Sequence, residues 1–351
     1  MKKLLCILLS ILMLIGLLPV AALADEPETQ GAPADNPAEP EILTDSIVYV
    51  NPLYADLFTP EDIAATQGAP RRDAPAVATT VEAASALLRA GMKARQGTIT
   101  FILQRPYNEI VSNNTIQVPW KAILQGAMAI TADGQEGDYL RWSYGGYTSG
   151  ASGQFADANA HGETDAFNAT LTYTVRYLNY DSADANAAPY MDAAEMETAM
   201  KTAADAALAS LGFTADTTAY QKLCAIYDYI ASVTYYTASA NIPLPIYHTA
   251  YSAICGSDGT VCQGYATLLY YMLKTAGVPC RIVAGLGNGG SHAWNMVQMD
   301  DGLWYSVDLT WDDDGNTAER NVVNTRKKRF RDKTGNRCST TLCGLSHFCI
   351  N

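Results

Sequence analysis

Three short segments in the second half of the chain carry residue types capable of acyl chemistry: Thr260-Val-Cys-Gln-Gly-Tyr-Ala266, Ser291-His-Ala-Trp-Asn295 and Ser306-Val-Asp-Leu-Thr-Trp-Asp312. In that order they supply Cys262, His292 and Asp308. A thiol attacks acyl carbon as the thiolate, so it needs an imidazole to take its proton. The imidazole in turn needs a carboxylate to fix its tautomer. One cysteine alone would say little, because free cysteines commonly serve as small core residues. The ordered set of three points to a nucleophile, its base and the group that orients the base. His248 is a weaker candidate for the base, and His161 reads as a solvated loop histidine. The first has no strand pattern around it and no carboxylate close in sequence, and the second stands among Gly, Asn and Asp as a loop residue.

The ordered segments resemble the transglutaminase-like superfamily. The resemblance runs from Lys222-Leu-Cys-Ala-Ile-Tyr-Asp-Tyr-Ile230 through His248-Thr-Ala-Tyr-Ser-Ala-Ile254 to Asp312, about a quarter of the chain. It implies an α+β fold with a papain-like core, in which Cys262 begins a helix packed on an antiparallel sheet that carries His292 and Asp308. It also implies acyl transfer on peptide or glutamine amides through a Cys thioester, ending in hydrolysis, deamidation or transamidation. Relatives stabilise the oxyanion with the backbone N–H of the cysteine and an upstream side chain. Tyr251 and Gln263 are the candidates here, with Gly264 expected to leave room for substrate. A rival reading of another class is a surface module that keeps this fold for binding without turnover.

The elements that must position these residues can be read locally. Ser257-Asp-Gly-Thr260 is a turn, and Cys262 to Lys274 reads as a helix closed by Gly277 and Pro279, with Leu268, Leu269, Met272 and Leu273 on its buried side. At a helix start, unpaired N–H groups and the macrodipole favour negative charge. Cys280 to Ala284 reads as a core strand, and Gly285 to Gly290 as a flexible loop. Two alternating segments follow, His292 to Met299 and Leu303 to Thr310, separated by Asp300-Asp-Gly302. This is a hairpin pattern. Its register decides the chemistry, because a slip of one residue turns every side chain to the other face. A two-residue loop would pair Asp308 with Asn295, on the wrong face for His292. A three-residue loop pairs Asp308 with Trp294, on the face of His292. Trp294 and Trp311 would shield the His–Asp pair from water, and Trp304 reads as core.

The rest of the chain bounds the setting. Lys2, Lys3, the apolar run Leu4 to Leu18 and Ala22-Leu23-Ala24 follow the order of a secretory signal. Residues 1–24 are read as a signal peptide and 25–45, rich in Pro, Glu, Asp and Ala, as a disordered linker. An N-terminal α/β unit over 46–190, a catalytic core over 191–316 and a basic tail over 317–351 complete the expected organisation. Within the α/β unit, Thr79 to Arg95 has helical spacing and Thr98 to Gln104 and Ala169 to Tyr177 alternate like strands. Asp192 to Leu211 and Thr217 to Val233 read as helices, the first ended by Gly212.

The formal charge is −13, and loss of Lys2 and Lys3 with the signal takes it to −15, which argues against nucleic acid as a partner. The expected partner is a peptide or protein substrate, cell-wall peptide among them, outside the cell or at its surface, with no membrane insertion once the signal is cleaved. Seven cysteines remain after signal removal: Cys224, Cys255, Cys262, Cys280, Cys338, Cys343 and Cys349. An odd number leaves at least one thiol free, and Cys224 and Cys280 read as small core residues. No cysteine pair has zinc spacing, and Asp312-Asp-Asp-Gly-Asn316 lacks the ligand pattern of a calcium loop, so no metal or cofactor is expected. The tail crowds Arg320, Arg326, Lys327, Lys328, Arg329, Arg331, Lys333 and Arg337 against Glu319 and Asp332. It carries no alternating pattern of the kind that continues the core in relatives.

Overall fold

The computed structural model describes residues 43–68, 74–182, 184, 186–237, 244–287 and 290–310, with 330–331 and 337–338. In chain order the elements are β1 (Leu43–Val50), α1 (Pro60–Ala64), β2 (Ala76–Ala78), α2 (Val81–Lys93), β3 (Thr98–Pro106), α3 (Tyr107–Ile110), β4 (Val111–Ser112) and β5 (Thr115–Ile116). Then come α4 (Trp120–Ala127), α5 (Asp138–Arg141), β6 (Tyr144–Phe155), β7 (Ala166–Tyr177), α6 (Ala193–Leu211), α7 (Ala219–Val233), α8 (Ala250–Ile254) and α9 (Cys262–Thr275). The last are β8 (Cys280–Gly287), β9 (Gly290–Gln298), β10 (Trp304–Val307) and the two-residue strands β11 (Phe330–Arg331) and β12 (Arg337–Cys338). The architecture is α+β, with a five-stranded sheet in the order β1-β6-β7-β3-β2 and a three-stranded antiparallel sheet in the order β10-β9-β8. Among the described residues, no helix is long and apolar enough to cross a membrane.

The five-stranded sheet follows from period-two alternation. On β7, Phe167, Ala169, Leu171, Tyr173 and Val175 are buried while the threonines between them are half-exposed. That buried face meets Leu88 and Met92 of α2 and Trp120 and Ile123 of α4. β1 begins at Leu43, so the expected linker ends in a strand. Its backbone pairs residue for residue with β6, which local composition does not reveal.

The second cluster is built around α9, whose residues from Cys262 to Leu273 are all buried. A helix apolar around its whole circumference belongs in the middle of a core. It is wrapped by α7, α8, β8 and β9. The expected stripe on α7, Leu223, Ile226, Tyr227 and Ile230, is buried against it. Lys222 donates to the carbonyl of Ala276 at 2.9 Å, a cation at the helix end that favours one. Thr218 and Gln221 form a capping box at the start of α7, and Asp300 of the β9–β10 loop accepts from the Ala219 N–H at 3.0 Å.

Two buried ionic contacts join the first 190 residues to this cluster. Asp138, fully buried, accepts from Arg281 Nε at 2.6 Å and from the backbone N–H of Ile282 at 3.0 Å. Arg95 donates to Glu197 through Nε and Nη2 at 3.1 and 2.8 Å, and Tyr139 and Gln135 also donate to that carboxylate. Tyr54, Phe58, Tyr139, Trp142 and Leu178 share the hydrophobic cluster of α9. Cys280 is buried as expected, but Cys224 is half-buried on α7 and disulfide-bonded. Cys255, Cys262 and Cys280 are free thiols.

Candidate active site

Cys262 is the first residue of α9, and no side chain caps that helix start. Of its first-turn N–H groups, that of Gly264 donates to the Val261 carbonyl at 3.0 Å, and those of Cys262 and Gln263 have no acceptor among the described residues. The preceding residues are tightly held. Thr260, fully buried, takes a hydrogen bond from Thr237 N–H on its carbonyl at 2.9 Å, donates its own N–H to Tyr235 at 3.0 Å, and donates its hydroxyl to Tyr247 at 2.8 Å. Gly264 is part of this packing. A Cβ there would stand 1.9 Å from Thr260 Oγ1 and 2.8 Å from the Thr249 carbonyl, so the glycine permits close approach of chain to chain. The space beside it, expected to admit substrate, is filled by packed chain.

The hairpin has the three-residue loop. Trp304 pairs with Gln298 and Val307 with Asn295, so the same register sets Asp308 opposite Trp294. Gly302 has φ of 78°, the left-handed value this loop type requires, and its N–H closes the turn on Met299 O at 2.9 Å. His292 and Asp308 accordingly meet, Nε2 to Oδ2 at 2.7 Å. The imidazole also hydrogen-bonds the Cys262 thiol. With Nε2 engaged by Asp308, Nδ1 is the nitrogen left for the sulfur. Burial lowers the proton affinity of the ring, but hydrogen bonds to Asp308 and Cys262 and the charges of both outweigh it, raising the His292 pKa to about 9.

Trp294 stacks on His292 with ring centroids 5.7 Å apart and covers one face of the imidazole. Trp304 is not core. It is 40 % exposed on β10, opposite Gln298, and stands several residues along the strand from His292. Trp311 lies outside the described residues. Asn295 is buried and donates through Nδ2 to the Ala266 carbonyl at 3.0 Å, tying the strand of His292 to the helix of Cys262.

Of the two side chains suggested for the oxyanion site, Gln263 is beside the sulfur and accepts from Cys262 Sγ at 3.1 Å. Tyr251 is turned elsewhere, hydrogen-bonded to Tyr190 near Cys255. Burial raises the pKa of Tyr54 and of Tyr236, and the electrostatic interaction of each with Cys262 raises it further. Tyr54 donates to the Trp142 carbonyl at 2.6 Å. Tyr236 is set beside Cys262 by a parallel bridge to Thr260. Neither carries a local sequence signal, since one lies more than 200 residues from Cys262 and the other depends on that single bridge. His248 is buried edge-on to Tyr54 at 5.8 Å, which makes it a packing residue, and His161 is exposed against Phe155 at 5.4 Å. Among the described residues no group of His, Cys, Asp and Glu could hold a metal ion.

The family model for the transglutaminase-like superfamily matches residues 206–309, the stretch that supplies α7, α8, α9 and the three-stranded sheet. Residues 206–309 form a transglutaminase-like core. Kyphoscoliosis peptidase from Homo sapiens is 37 % identical over 70 residues, which cover 16 % of this chain and 10 % of the relative. The Mus musculus protein of the same name matches with the same values. The chain thus spans about a tenth of the length of these curated relatives. Among solved structures, the periplasmic domain of TgpA from Pseudomonas aeruginosa bound to ethylmercury is 16 % identical, covering 50 % of this chain and 74 % of that one with a TM-score of 0.26. The same domain without ethylmercury is 15 % identical, covering 52 % and 76 %, with a TM-score of 0.23.

Proposed function

We propose that the transglutaminase-like core is a cysteine enzyme acting on peptide or glutamine amides through a thioester on Cys262. The observation that carries this reading is one imidazole held between a thiol and a carboxylate, with a pKa of about 9. At neutral pH such a ring is protonated, and in the proposed mechanism Cys262 faces this imidazolium as the thiolate. The sulfur attacks the carbonyl carbon, forming the C–S bond and an oxyanion. The Cys262 N–H and the Tyr236 phenol are the donors we assign to that oxyanion, with the Gln263 amide beside the sulfur. Collapse breaks the C–N bond as imidazolium gives its proton to the departing nitrogen. Neutral His292 then takes a proton from water or an amine, which attacks the thioester, breaks the C–S bond and frees the thiolate. Asp308 keeps the ring oriented and stabilises its charge throughout.

The test is a mass-spectrometric screen of peptide substrates with and without an added primary amine. Cleaved peptides indicate hydrolysis, Gln converted to Glu indicates deamidation, and an amine adduct indicates transamidation. No product above the level given by Cys262→Ala would reject the enzyme and leave the binding module. The same assay reads the base. Departure of the nitrogen needs the imidazolium, so turnover should fall as pH rises through about 9. In Asp308→Asn the hydrogen bond that does most to raise the pKa is altered and its charge removed, so the alkaline limb should move to lower pH. An unmoved limb would exclude Asp308 from the mechanism. We place the reaction outside the cell, on cell-wall or surface peptides, because of the signal-like order of residues 1–24. A secreted product whose first residue is Asp25 is the expected outcome, and retention of the intact chain in the cell would contradict it.

A further inference from the structure

In an antiparallel ladder, alternate residues direct N–H and C=O toward the partner strand and away from it. Gln298 donates to the Pro279 carbonyl at 2.9 Å, which fixes the parity on β8: Cys280, Ile282, Ala284 and Leu286 turn their backbone groups outward. β8 is the outer strand of its sheet. The outward N–H of Ile282 is taken by Asp138, so this half of the edge is closed. The half from Ala284 to Gly287 is open, with no hydrogen bond to the outward groups of Ala284 or Leu286 among the described residues.

This open half is at the level of the nucleophile. Gly285 is the ladder partner of His292, and Ala284 of Ala293. Asn295, paired with Ile282, holds the carbonyl of Ala266. Cys262 is four residues earlier on a helix that leads back into β8, about 6 Å or two strand residues along, which brings it to the rungs of Ala284 and Gly285. Among the described residues the edge also lacks the usual protection. Natural edges carry lysine, proline, bulges or a covering element. Here Ala284 is exposed, Leu286 is 81 % exposed and the flanking residues are glycines.

We propose that substrate binds as an extended peptide added as a strand to the open edge of β8, pairing its backbone with Ala284 and Leu286 and so presenting its carbonyl beside Cys262. This presupposes the thioester chemistry proposed for Cys262. It narrows the substrate to unfolded peptide segments with free backbone amides on alternate residues. The probe is acetyl-tetraalanine chloromethyl ketone, together with four forms each N-methylated at one amide, reacted with the full chain while alkylation of Cys262 is followed by mass spectrometry. Methylation should slow labelling about tenfold at alternate amides and less than about twofold at those between, the ratio expected for losing one or two hydrogen bonds. Leu286→Pro, which removes one outward N–H where an edge tolerates proline, should slow the unmethylated reagent about tenfold. Iodoacetamide, which has no strand to add, reads the thiolate alone. Selective iodoacetamide labelling of Cys262 with a flat methylation series would overturn the edge proposal and spare the enzyme. Failure of iodoacetamide to select Cys262 would remove the enzyme and the edge proposal together.

Discussion

Replacement of Cys262 by alanine is expected to lower turnover by a factor on the order of 10⁴ or more, the scale seen when a covalent nucleophile is removed. The fold should survive. The side chain is 5 % exposed at the start of α9, and the change deletes one sulfur atom from a core held by many larger groups, Tyr265, Leu268 and Leu269 among them. A stability loss of about 1 kcal/mol is the expected order. Urea unfolding and the peptide assay on the same preparation separate the two effects. Activity within about tenfold of the parent chain would remove Cys262 from the nucleophile role. His292→Ala should be nearly as severe, since without the base neither the thiolate nor the departing nitrogen is served.

The largest effect on stability is expected from Glu197→Ala. The guanidinium of Arg95 has only 6 % of its side chain exposed, and Glu197 is its charge partner. Ser143 and the rings of Tyr139 and Tyr177 surround it, but none of these neutralises it at neutral pH. Removing the carboxylate strands a buried cation and leaves Tyr139 and Gln135 without their acceptor. Breaking such a pair from one side costs about 3–5 kcal/mol, a large part of the stability of an ordinary domain. Replacing both partners, Arg95→Met with Glu197→Leu, should recover much of that loss, because the desolvation cost of the ions disappears with them. A urea midpoint for Glu197→Ala close to that of the parent chain would mean that Arg95 reaches water. The pair would then not tie α6 to the turn between α2 and β3.

The geometry around His292 was legible in sequence because parity is a strict rule. Once Asp300-Asp-Gly302 is taken as a three-residue loop, Asp308 must share a face with His292, and the ladder has that register. The helix at Cys262 and the stripe on α7 were legible for a similar reason, namely strong periodicity bounded by turn residues. The same local logic failed at Gly285-Leu-Gly287, read as a loop because of its glycines. There the pairing with β9 continues the strand to Gly287, as ladder hydrogen bonds to a neighbour override weak propensity. It failed at Gly264 because a glycine with nothing beside it in sequence can still be pressed against a distant chain, here Thr260 and the 247–249 backbone. Tyr54, Tyr236 and Asp138 gave no signal at all. Their roles depend on contacts that local periodicity does not encode. Trp304 went the other way, a large apolar residue placed on the exposed side of β10, where no element among the described residues covers it.

Activation of Cys262 by His292 is tested most directly by competition among the free thiols. Cys255 is exposed, Cys262 and Cys280 are buried, and burial raises the pKa of both Cys255 and Cys280. Access alone therefore favours Cys255, and activation favours Cys262. The measurement is the rate of iodoacetamide labelling at each cysteine at neutral pH, read by peptide mass spectrometry. Cys262 should be labelled at least about tenfold faster than Cys255 despite its burial, and that advantage should vanish in His292→Ala. Labelling of Cys255 ahead of an inert Cys262 would contradict the assignment.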